Sequence, residues 1–302
     1  MKKLILFVII CLLIASVNVS AQPSICDSKI GISKTIFGEA GLNIVEDVNK
    51  DGYINRAEMA KIVYLLSNGG QYSLKEFGSY HKNFNDVDEK YWAYEYIESL
   101  RKAAIFSGDG NGNFNPEKPC KYIDFIKTVI FISGYSAYYN SKGIGDTYYE
   151  KCYKIAQKMN LTLNEFTIDR YLTSDDVYLI LFDMLFVPQI CDVGFGFTTY
   201  DVYESSYNLL KLNYGIEMNL GYFNKNGENS FLSSDGGMIF NGEVFNDQKF
   251  QNGYAICFYK ANYGMAETDI VLCVSVPQEL YQECIGKYDK YKVESIRYDK
   301  YK

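Results

Sequence analysis

Apolar residues recur with the period of an amphipathic helix in three segments of this chain. Each segment opens with a polar helix-start sequence at residue 55, 121 or 173, and apolar residues then follow at spacings of i, i+3, i+4 and i+7. This spacing collects the apolar side chains on one face of a helix. The acids at the fourth positions are 66 residues (58 to 124) and 52 residues (124 to 176) apart. A period of this length is typical of a supersecondary unit, so the sequence predicts one helical unit repeated three times.

Two of the three helix starts have the pattern of a capping box. Asn55 stands three positions before Glu58, and Thr173 stands three positions before Asp176. In a capping box these two side chains satisfy the backbone amides that a helix start leaves without partners. We therefore predict a structural role for these four side chains. Arg56 has no role in a capping box, which leaves its guanidinium for another purpose.

The pattern changes near Pro188 from helical spacing to short alternating runs. The runs at 215–223, 253–260 and 269–276 read as strands, and clusters of Gly and Asn separate them. We predict an α+β chain in which residues 195–302 form a small antiparallel β-domain, barrel-like or sandwich-like. Many of the tyrosines lie in this part, where we expect them to pack the domain.

The first 21 residues have the features of a secretory signal peptide. Lysines at positions 2 and 3 precede an apolar stretch from Leu4 to about Val17, and small residues stand before a cleavage site after Ala21. The later apolar runs are interrupted by Lys127 and Asp183 and fall short of a membrane span. We therefore expect an exported protein without a membrane span, attached to the cell non-covalently.

Charge and cysteine content narrow the possible partners. The chain has 30 Lys and Arg against 37 Asp and Glu, and loss of the signal peptide removes two lysines, leaving 28 against 37. A net charge of −9 makes nucleic acid a poor partner. Seven of the 8 cysteines remain after loss of Cys11, with no C-x-x-C pair, which excludes a disulfide framework. Either one or two bridges form beside free thiols, or the organism lives where oxygen is scarce.

Residues suited to catalysis are scarce. His81 is the single histidine, so a His-ligated zinc site or a Ser-His system would depend entirely on it. The acid pairs Asp86 with Asp88 and Asp175 with Asp176 are explained by turns or helix starts. We expect a binding protein and not an enzyme, and a wall-active hydrolase in the C-terminal part is the least favoured alternative.

The second helical unit has the fullest sequence context. Residues 84–87 read FNDV, residues 91–93 read YWA, a helix is predicted to about Ala104, and residues 108–116 read GDGNGNFNP. This order resembles the S-layer homology repeat of bacterial surface proteins, which usually occurs as a triplet. The resemblance implies repeats at 22–68, 82–135 and 143–188. It also implies a pseudo-threefold spindle, in which each repeat gives one helix to a central three-helix bundle and places a prong outside it.

The resemblance also implies a ligand and a site. Such triplets bind secondary cell-wall polysaccharide, often through a pyruvylated sugar, in grooves between the prongs. Arg56 matches the motif arginine that would meet the anionic sugar, since a guanidinium can grip a carboxylate through two hydrogen bonds. The motif further implies roles for Asp86 in the opening F-x-D-V, Trp92 near the groove and Gly108 in the tight loop.

The repeats depart from the motif in ways that weaken this expectation. The arginine position holds Tyr122 in the second repeat and Ser174 in the third, so the sequence leaves at most one groove with its arginine. Tyr122 enters the expected binding set only by this position. The first repeat also lacks the F-x-D-V and W-A opening.

The place of action follows from the same resemblance. We expect a secreted protein at the cell wall, or S-layer surface, of a Gram-positive-type bacterium. The C-terminal layout is similar to the short β-domain that often follows such triplets in clostridial surface proteins. Its partners would be the wall polysaccharide and, through the β-domain, other surface proteins.

A calcium loop is the competing interpretation of the first repeat. Residues 47–58 place oxygen ligands as an EF-hand loop does, and they resemble half of a dockerin. The five candidate ligands are Asp47, Asn49, Asp51, Tyr53 and Glu58. In this alternative the chain is a calcium-stabilised protein-interaction module whose triplet is a non-binding scaffold. Otherwise we expect no cofactor.

Overall fold

The computed structural model describes residues 24–40, 52–67, 84–136, 139, 143–163, 166–192, 199–202, 208–224, 230–234, 239–241, 252–261, 268–289 and 296–297. The predicted signal peptide lies outside these residues. The helices of the described part are α1 Ile25–Glu39, α2 Arg56–Leu66, α3 Tyr94–Lys102, α4 Tyr122–Ile132, α5 Tyr148–Lys158, α6 Ser174–Met184, α7 Leu209–Tyr214 and α8 Gln278–Asp289. The strands are β1 Ile190–Asp192, β2 Thr199–Val202, β3 Ile216–Asn224, β4 Ser230–Ser233, β5 Ile239–Asn241, β6 Gly253–Ala261, β7 Thr268–Ser275 and β8 Ile296–Arg297.

The predicted helix starts are confirmed. Before α2, the Asn55 side chain accepts a hydrogen bond from the Glu58 amide at 2.8 Å, and the Glu58 carboxylate accepts from the Asn55 amide at 2.6 Å. Thr173 and Asp176 form the same reciprocal box before α6. Lys121 gives α4 no side-chain cap. Two helices therefore start with the backbone amides satisfied locally, and the third depends on its packing.

The three helical units meet in a closed ring of backbone hydrogen bonds. The amide of Ile54 donates to the carbonyl of Leu172 at 2.9 Å, Leu172 donates to Cys120 at 2.9 Å, and Cys120 donates to Ile54 at 2.8 Å. Each of these residues stands two positions before α2, α4 or α6, and all three side chains are fully buried. We call Ile54, Cys120 and Leu172 the strand ring. Its three hydrogen bonds link the three helix starts in a closed cycle.

Behind the strand ring, the apolar faces of α2, α4 and α6 are buried as their spacing predicts. The buried set includes Met59, Ile62, Val63 and Leu66 of α2, with Phe125, Val129 and Ile132 of α4 and Val177, Ile180, Leu181 and Met184 of α6. Helix α3 packs on α2, α5 packs on α4, and α1 packs on α6. Each of α2, α4 and α6 therefore packs against one helix from outside this set of three.

The C-terminal strands form an open antiparallel sheet in the order β5-β4-β3-β6-β7. The three predicted strands are confirmed as β3, β6 and β7, with Met218 opposite Phe258 and Phe258 opposite Leu272. The predicted antiparallel arrangement is confirmed, but the strands do not form the expected barrel-like or sandwich-like domain, because this described sheet is open and ends at two edges, β5 and β7. Helices take up the apolar face instead: Met218, Phe258 and Leu272 belong to the same hydrophobic cluster as the helical units. A second group, β1-β2-β8, is also antiparallel.

Polar contacts fasten this sheet region to the ends of two bundle helices. The Asn213 amide group donates to the carbonyl of Leu66 at the end of α2, at 2.7 Å. Asn208 donates to the carbonyl of Leu185, just after α6, also at 2.7 Å. Since the last carbonyls of a helix have no partner within it, these contacts cap two helix ends.

Two further observations complete the fold. Within the described residues no helix combines the length and apolar character that a membrane crossing needs. Six cysteines of the described part are free, namely Cys26, Cys120, Cys152, Cys257, Cys273 and Cys284, and Cys257 and Cys273 face each other across β6 and β7.

Candidate functional site

The loop at residues 108–116 is organised by two aspartates. Both carboxylate oxygens of Asp86 accept backbone hydrogen bonds, from the amides of Phe114 and Asn115, each at 2.7 Å. Asp109 accepts from the amides of Asn111 and Asn113 at 2.8 and 3.1 Å. These hydrogen bonds lower the pKa of Asp109 to about 2, although the carboxylate is exposed. Asp86 was expected near the ligand, but both of its carboxylate oxygens accept hydrogen bonds that shape the loop.

Gly108 is needed where this loop closes most tightly. A Cβ atom at this position would lie 2.5 Å from the carbonyl oxygen of Asn113 and 2.7 Å from the ring of Phe84. Any side chain would push the two strands of the loop apart. The loop holds Phe114 in place, and the ring of Phe114 lies under the guanidinium of Arg56.

Arg56 reaches from the start of α2 to this loop of the second helical unit. Its Nε donates to the carbonyl of Phe114 at 2.8 Å, and Nη2 donates to the carbonyl of Ser107 at 3.4 Å. The guanidinium lies over the Phe114 ring, 4.5 Å from Cζ to the ring centroid. Its Nη1 is 3.9 Å from Oδ2 of Asp124. We call the space around Arg56, Phe114 and Asp124 the first cleft.

Tyr148, at the start of α5, borders the first cleft on the side of Asp124. Its hydroxyl donates to Oδ1 of Asp124 at 2.7 Å. Burial, and then the charge of Asp124, raise the pKa of Tyr148, so the phenol stays protonated and remains a donor. Asp124 thus faces a phenol on one oxygen and a guanidinium on the other.

With this geometry in view, the chain can be compared with known families. Residues 83–126 match the family model of the S-layer homology domain. The chain contains an S-layer homology domain. The match runs from the residue before Phe84, through α3 and the loop, into α4, and it includes the first-cleft residues Phe114 and Asp124. S-layer homology domains are binding modules that anchor proteins at the cell surface by holding cell-wall polysaccharide. No curated protein matches the chain.

Lys127 places a second cation beside Tyr148, the phenol that donates to Asp124. Its ammonium lies between 5.5 and 5.9 Å from the centroids of three rings, those of Phe131, Tyr139 and Tyr148. Aromatic faces attract a cation, which holds the ammonium of Lys127 against the ring of Tyr148, and the hydroxyl of this ring contacts Asp124. The first cleft and its border therefore hold two cations, Arg56 and Lys127, against one carboxylate.

Trp92 is an exposed aromatic residue of the S-layer homology domain. It is 53 % exposed and contacts the rings of Tyr91 and Tyr96, with centroids 5.8 and 6.4 Å apart. Tyr91 donates to Glu117 at 2.5 Å, and Asn55 donates to the other oxygen of Glu117 at 3.4 Å. This chain of contacts links Trp92 to the residue before Arg56.

Tyr122, expected in the binding set by its position, lies inside the protein. It is 1 % exposed, and its hydroxyl donates to the carbonyl of Thr162 at 3.3 Å. The guanidinium of Arg170 covers its ring, with Cζ 4.4 Å from the centroid. The ring of Tyr122 therefore packs beneath Arg170 and has almost no exposed surface.

The calcium ligands are only partly within the described residues. Asp47, Asn49 and Asp51 lie outside them, while Tyr53 is exposed and Glu58 serves the capping box of α2. The described part of the chain contains no group of three or more His, Cys, Asp or Glu side chains that could hold a metal ion. Calcium at this loop stays a prediction.

Sequence reasoning missed three residues: Tyr148 and Lys127 beside the first cleft, and Arg170 over the ring of Tyr122. A signal for Tyr148 was present, because Thr147 and Glu150 form a capping box that marks the start of α5. Lys127 and Arg170 had no signal, since their partners lie on other turns or elements.

Proposed function

We propose that this chain is a secreted surface protein, held non-covalently at the wall of a Gram-positive-type bacterium by anionic polysaccharide bound in the first cleft. The observation that carries the proposal is the position of Arg56, whose guanidinium lies on the Phe114 ring at the edge of the S-layer homology domain. With Nε and Nη2 held by backbone carbonyls, the Nη1 side of the guanidinium is the part that would meet a carboxylate, as a pyruvylated sugar would provide.

The charge of the cleft favours an anionic ligand. The whole chain is acidic, with a formal net charge of −7, yet Arg56 lies 3.9 Å from Asp124, and Lys127 lies over the ring of Tyr148, which donates to the same carboxylate. A cationic cleft on an acidic surface concentrates anions locally while the rest of the molecule repels them. The exposed face of Trp92 would add an apolar platform for a sugar ring.

The strand ring supports an arrangement of three related units around the binding region. Its hydrogen bonds repeat at the same spacing as the acids Glu58, Asp124 and Asp176. We propose that these units are three S-layer homology repeats, of which the second keeps the most complete motif. The role proposed for the whole chain is binding, without a catalytic step.

Co-sedimentation with purified cell walls tests the proposal. A charge-assisted hydrogen bond contributes about 1.5–3 kcal/mol, so Arg56→Ala should weaken binding by about tenfold or more. Arg56→Lys keeps the positive charge but loses the planar guanidinium, so its affinity for cell walls should lie between those of the unchanged chain and Arg56→Ala.

Lys102→Ala is the matched control, because it removes one exposed positive charge outside the first cleft. The melting temperature of each variant separates lost binding from lost folding. Arg56→Ala that binds walls as tightly as the unchanged chain would contradict the site, and an unchanged chain that does not bind would contradict the function.

A further inference from the structure

A second arginine occupies a cleft that matches the first. The guanidinium of Arg170 lies over the ring of Tyr122, 4.4 Å from Cζ to the centroid, and its Nη2 is 2.5 Å from Oδ1 of Asp176. In the first cleft the same two kinds of contact join Arg56 to a ring at 4.5 Å and to an aspartate at 3.9 Å.

The spacing of the helical units relates the two clefts at two positions. A shift of 66 residues carries Arg56 onto Tyr122, and a shift of 52 carries Asp124 onto Asp176. The backbone follows the same rule: the amide of Arg56 donates to the carbonyl of Lys118 at 3.0 Å, and that of Tyr122 donates to Arg170 at 2.9 Å. Arg170 therefore stands where the first cleft has Lys118.

We propose that Arg170 restores the guanidinium that position 122 lacks, so that the space around Tyr122, Arg170 and Asp176 is a second site for the same anionic sugar chain. This inference rests on the proposed function, and it replaces the expectation from sequence that a single arginine serves the triplet. The guanidinium comes from the strand before α6 rather than from the first residue of α4.

The exposure of the two arginines agrees with this role. The Arg170 side chain is 22 % exposed and that of Arg56 is 19 % exposed, so each is held in place and still reaches the surface. Nη1 of Arg170 is buried without a hydrogen-bond partner among the described residues, so a ligand would meet the other atoms of the guanidinium.

The two sites should differ in strength. Asp176 is buried and in direct contact with Arg170, whereas Asp124 is 3.9 Å from Arg56 and shares its charge with the hydroxyl of Tyr148. A ligand carboxylate must compete with Asp176 for the same guanidinium. The second site is therefore the weaker of the two.

Isothermal titration of the full chain with short oligosaccharides released from purified cell walls measures the number of sites. The unchanged chain should take up two oligosaccharides with unequal affinity. Arg56→Ala and Arg170→Ala should each take up one, and the double variant none. Lys121→Ala, which removes an exposed charge paired with Asp169, should still take up two.

The outcomes separate the two proposals. If Arg170→Ala still binds two oligosaccharides with unchanged affinities while Arg56→Ala binds one, the second site is overturned and the proposed function stands. If the unchanged chain binds none, both fall. Should Arg170→Ala melt below the assay temperature, Arg170→Lys is measured instead: about tenfold weaker binding at one site supports the inference, and unchanged binding overturns it.

Discussion

Tyr148 donates its hydroxyl proton to Oδ1 of Asp124, and this bond spans the boundary between the second and third helical units. It leaves Oδ2 of the same carboxylate facing Arg56. The contact therefore joins residues of three units, although neither residue lies in the strand ring. It fixes the one negative charge that orients the guanidinium of the first cleft.

Tyr148→Phe should destabilise the protein by about 1 kcal/mol, because it leaves a partly buried carboxylate oxygen without its donor. Urea unfolding monitored by circular dichroism measures the change. Tyr171→Phe is the matched control, since Tyr171 is exposed to a similar degree and its hydroxyl makes no hydrogen bond with a described residue. Equal losses from the two variants would show that the Asp124 contact contributes nothing.

Asp86→Ala should destabilise the loop at residues 108–116 by about 2 kcal/mol, because two charge-assisted hydrogen bonds to backbone amides are lost. Asp86→Asn keeps one acceptor and should lose about half as much. Asp88→Ala removes one exposed hydrogen bond to the amide of Lys90 and should cost less than either. The readout is the midpoint of urea unfolding. A larger destabilisation by Asp88→Ala than by either Asp86 variant would refute this account of the loop.

Asp109 should make the loop sensitive to acid at an unusually low pH. Its pKa is lowered from 3.8 to about 2, so its contribution to stability is complete above pH 3.8 and is lost as the pH falls toward 2. Protease cleavage within residues 108–116, followed between pH 5 and pH 2, should rise over this window. In Asp109→Asn the rise over this window should disappear, and persistence of the same rise would assign it to another group.

Lys287→Met should be strongly destabilising, by about 3–5 kcal/mol, because it leaves the carboxylate of Asp183 buried without its cation. Burial alone would lower the pKa of Lys287, but the charges of Asp183 and Glu283 outweigh it and raise the pKa, so the ammonium stays charged. The double variant Asp183→Asn with Lys287→Met should be more stable than Lys287→Met alone, since no unpaired charge is left.

The control for this pair is the exposed ion pair of Lys121 and Asp169, which are 3.2 Å apart. Lys121→Met should change the free energy of unfolding by less than about 1 kcal/mol, because solvent screens the pair. If the double variant is no more stable than Lys287→Met, burial of an unpaired charge is not the cause.

The sequence predicts best those features that depend on neighbouring residues. The boxes of Asn55 with Glu58 and of Thr173 with Asp176 span three positions, and strands β3, β6 and β7 show their alternation directly. Helices α1 and α5 carry the same kind of box, at Ser24 and Thr147, and could have been found by the same rule.

The features that sequence could not predict depend on distant contacts. Arg170 is 48 positions after Tyr122, and nothing in the local pattern indicates that its guanidinium covers that ring. The alternation of the strands likewise identifies the two faces of the sheet but not what covers them, so a barrel-like or sandwich-like domain was expected where helices pack on one face. Periodicity identifies which side chains are buried, whereas tertiary packing decides what buries them.

The strand ring has a consequence for how the chain folds. Ile54 and Leu172 are 118 positions apart, and each unit gives its amide to one neighbour and its carbonyl to the other. A chain that stops before Leu172 leaves both an unpaired donor and an unpaired acceptor in its interior, so two units cannot close the ring. Because Ile54 can pair with Leu172 only when the third unit is in place, the three units should fold late and together. Loss of any one unit should therefore unfold the other two.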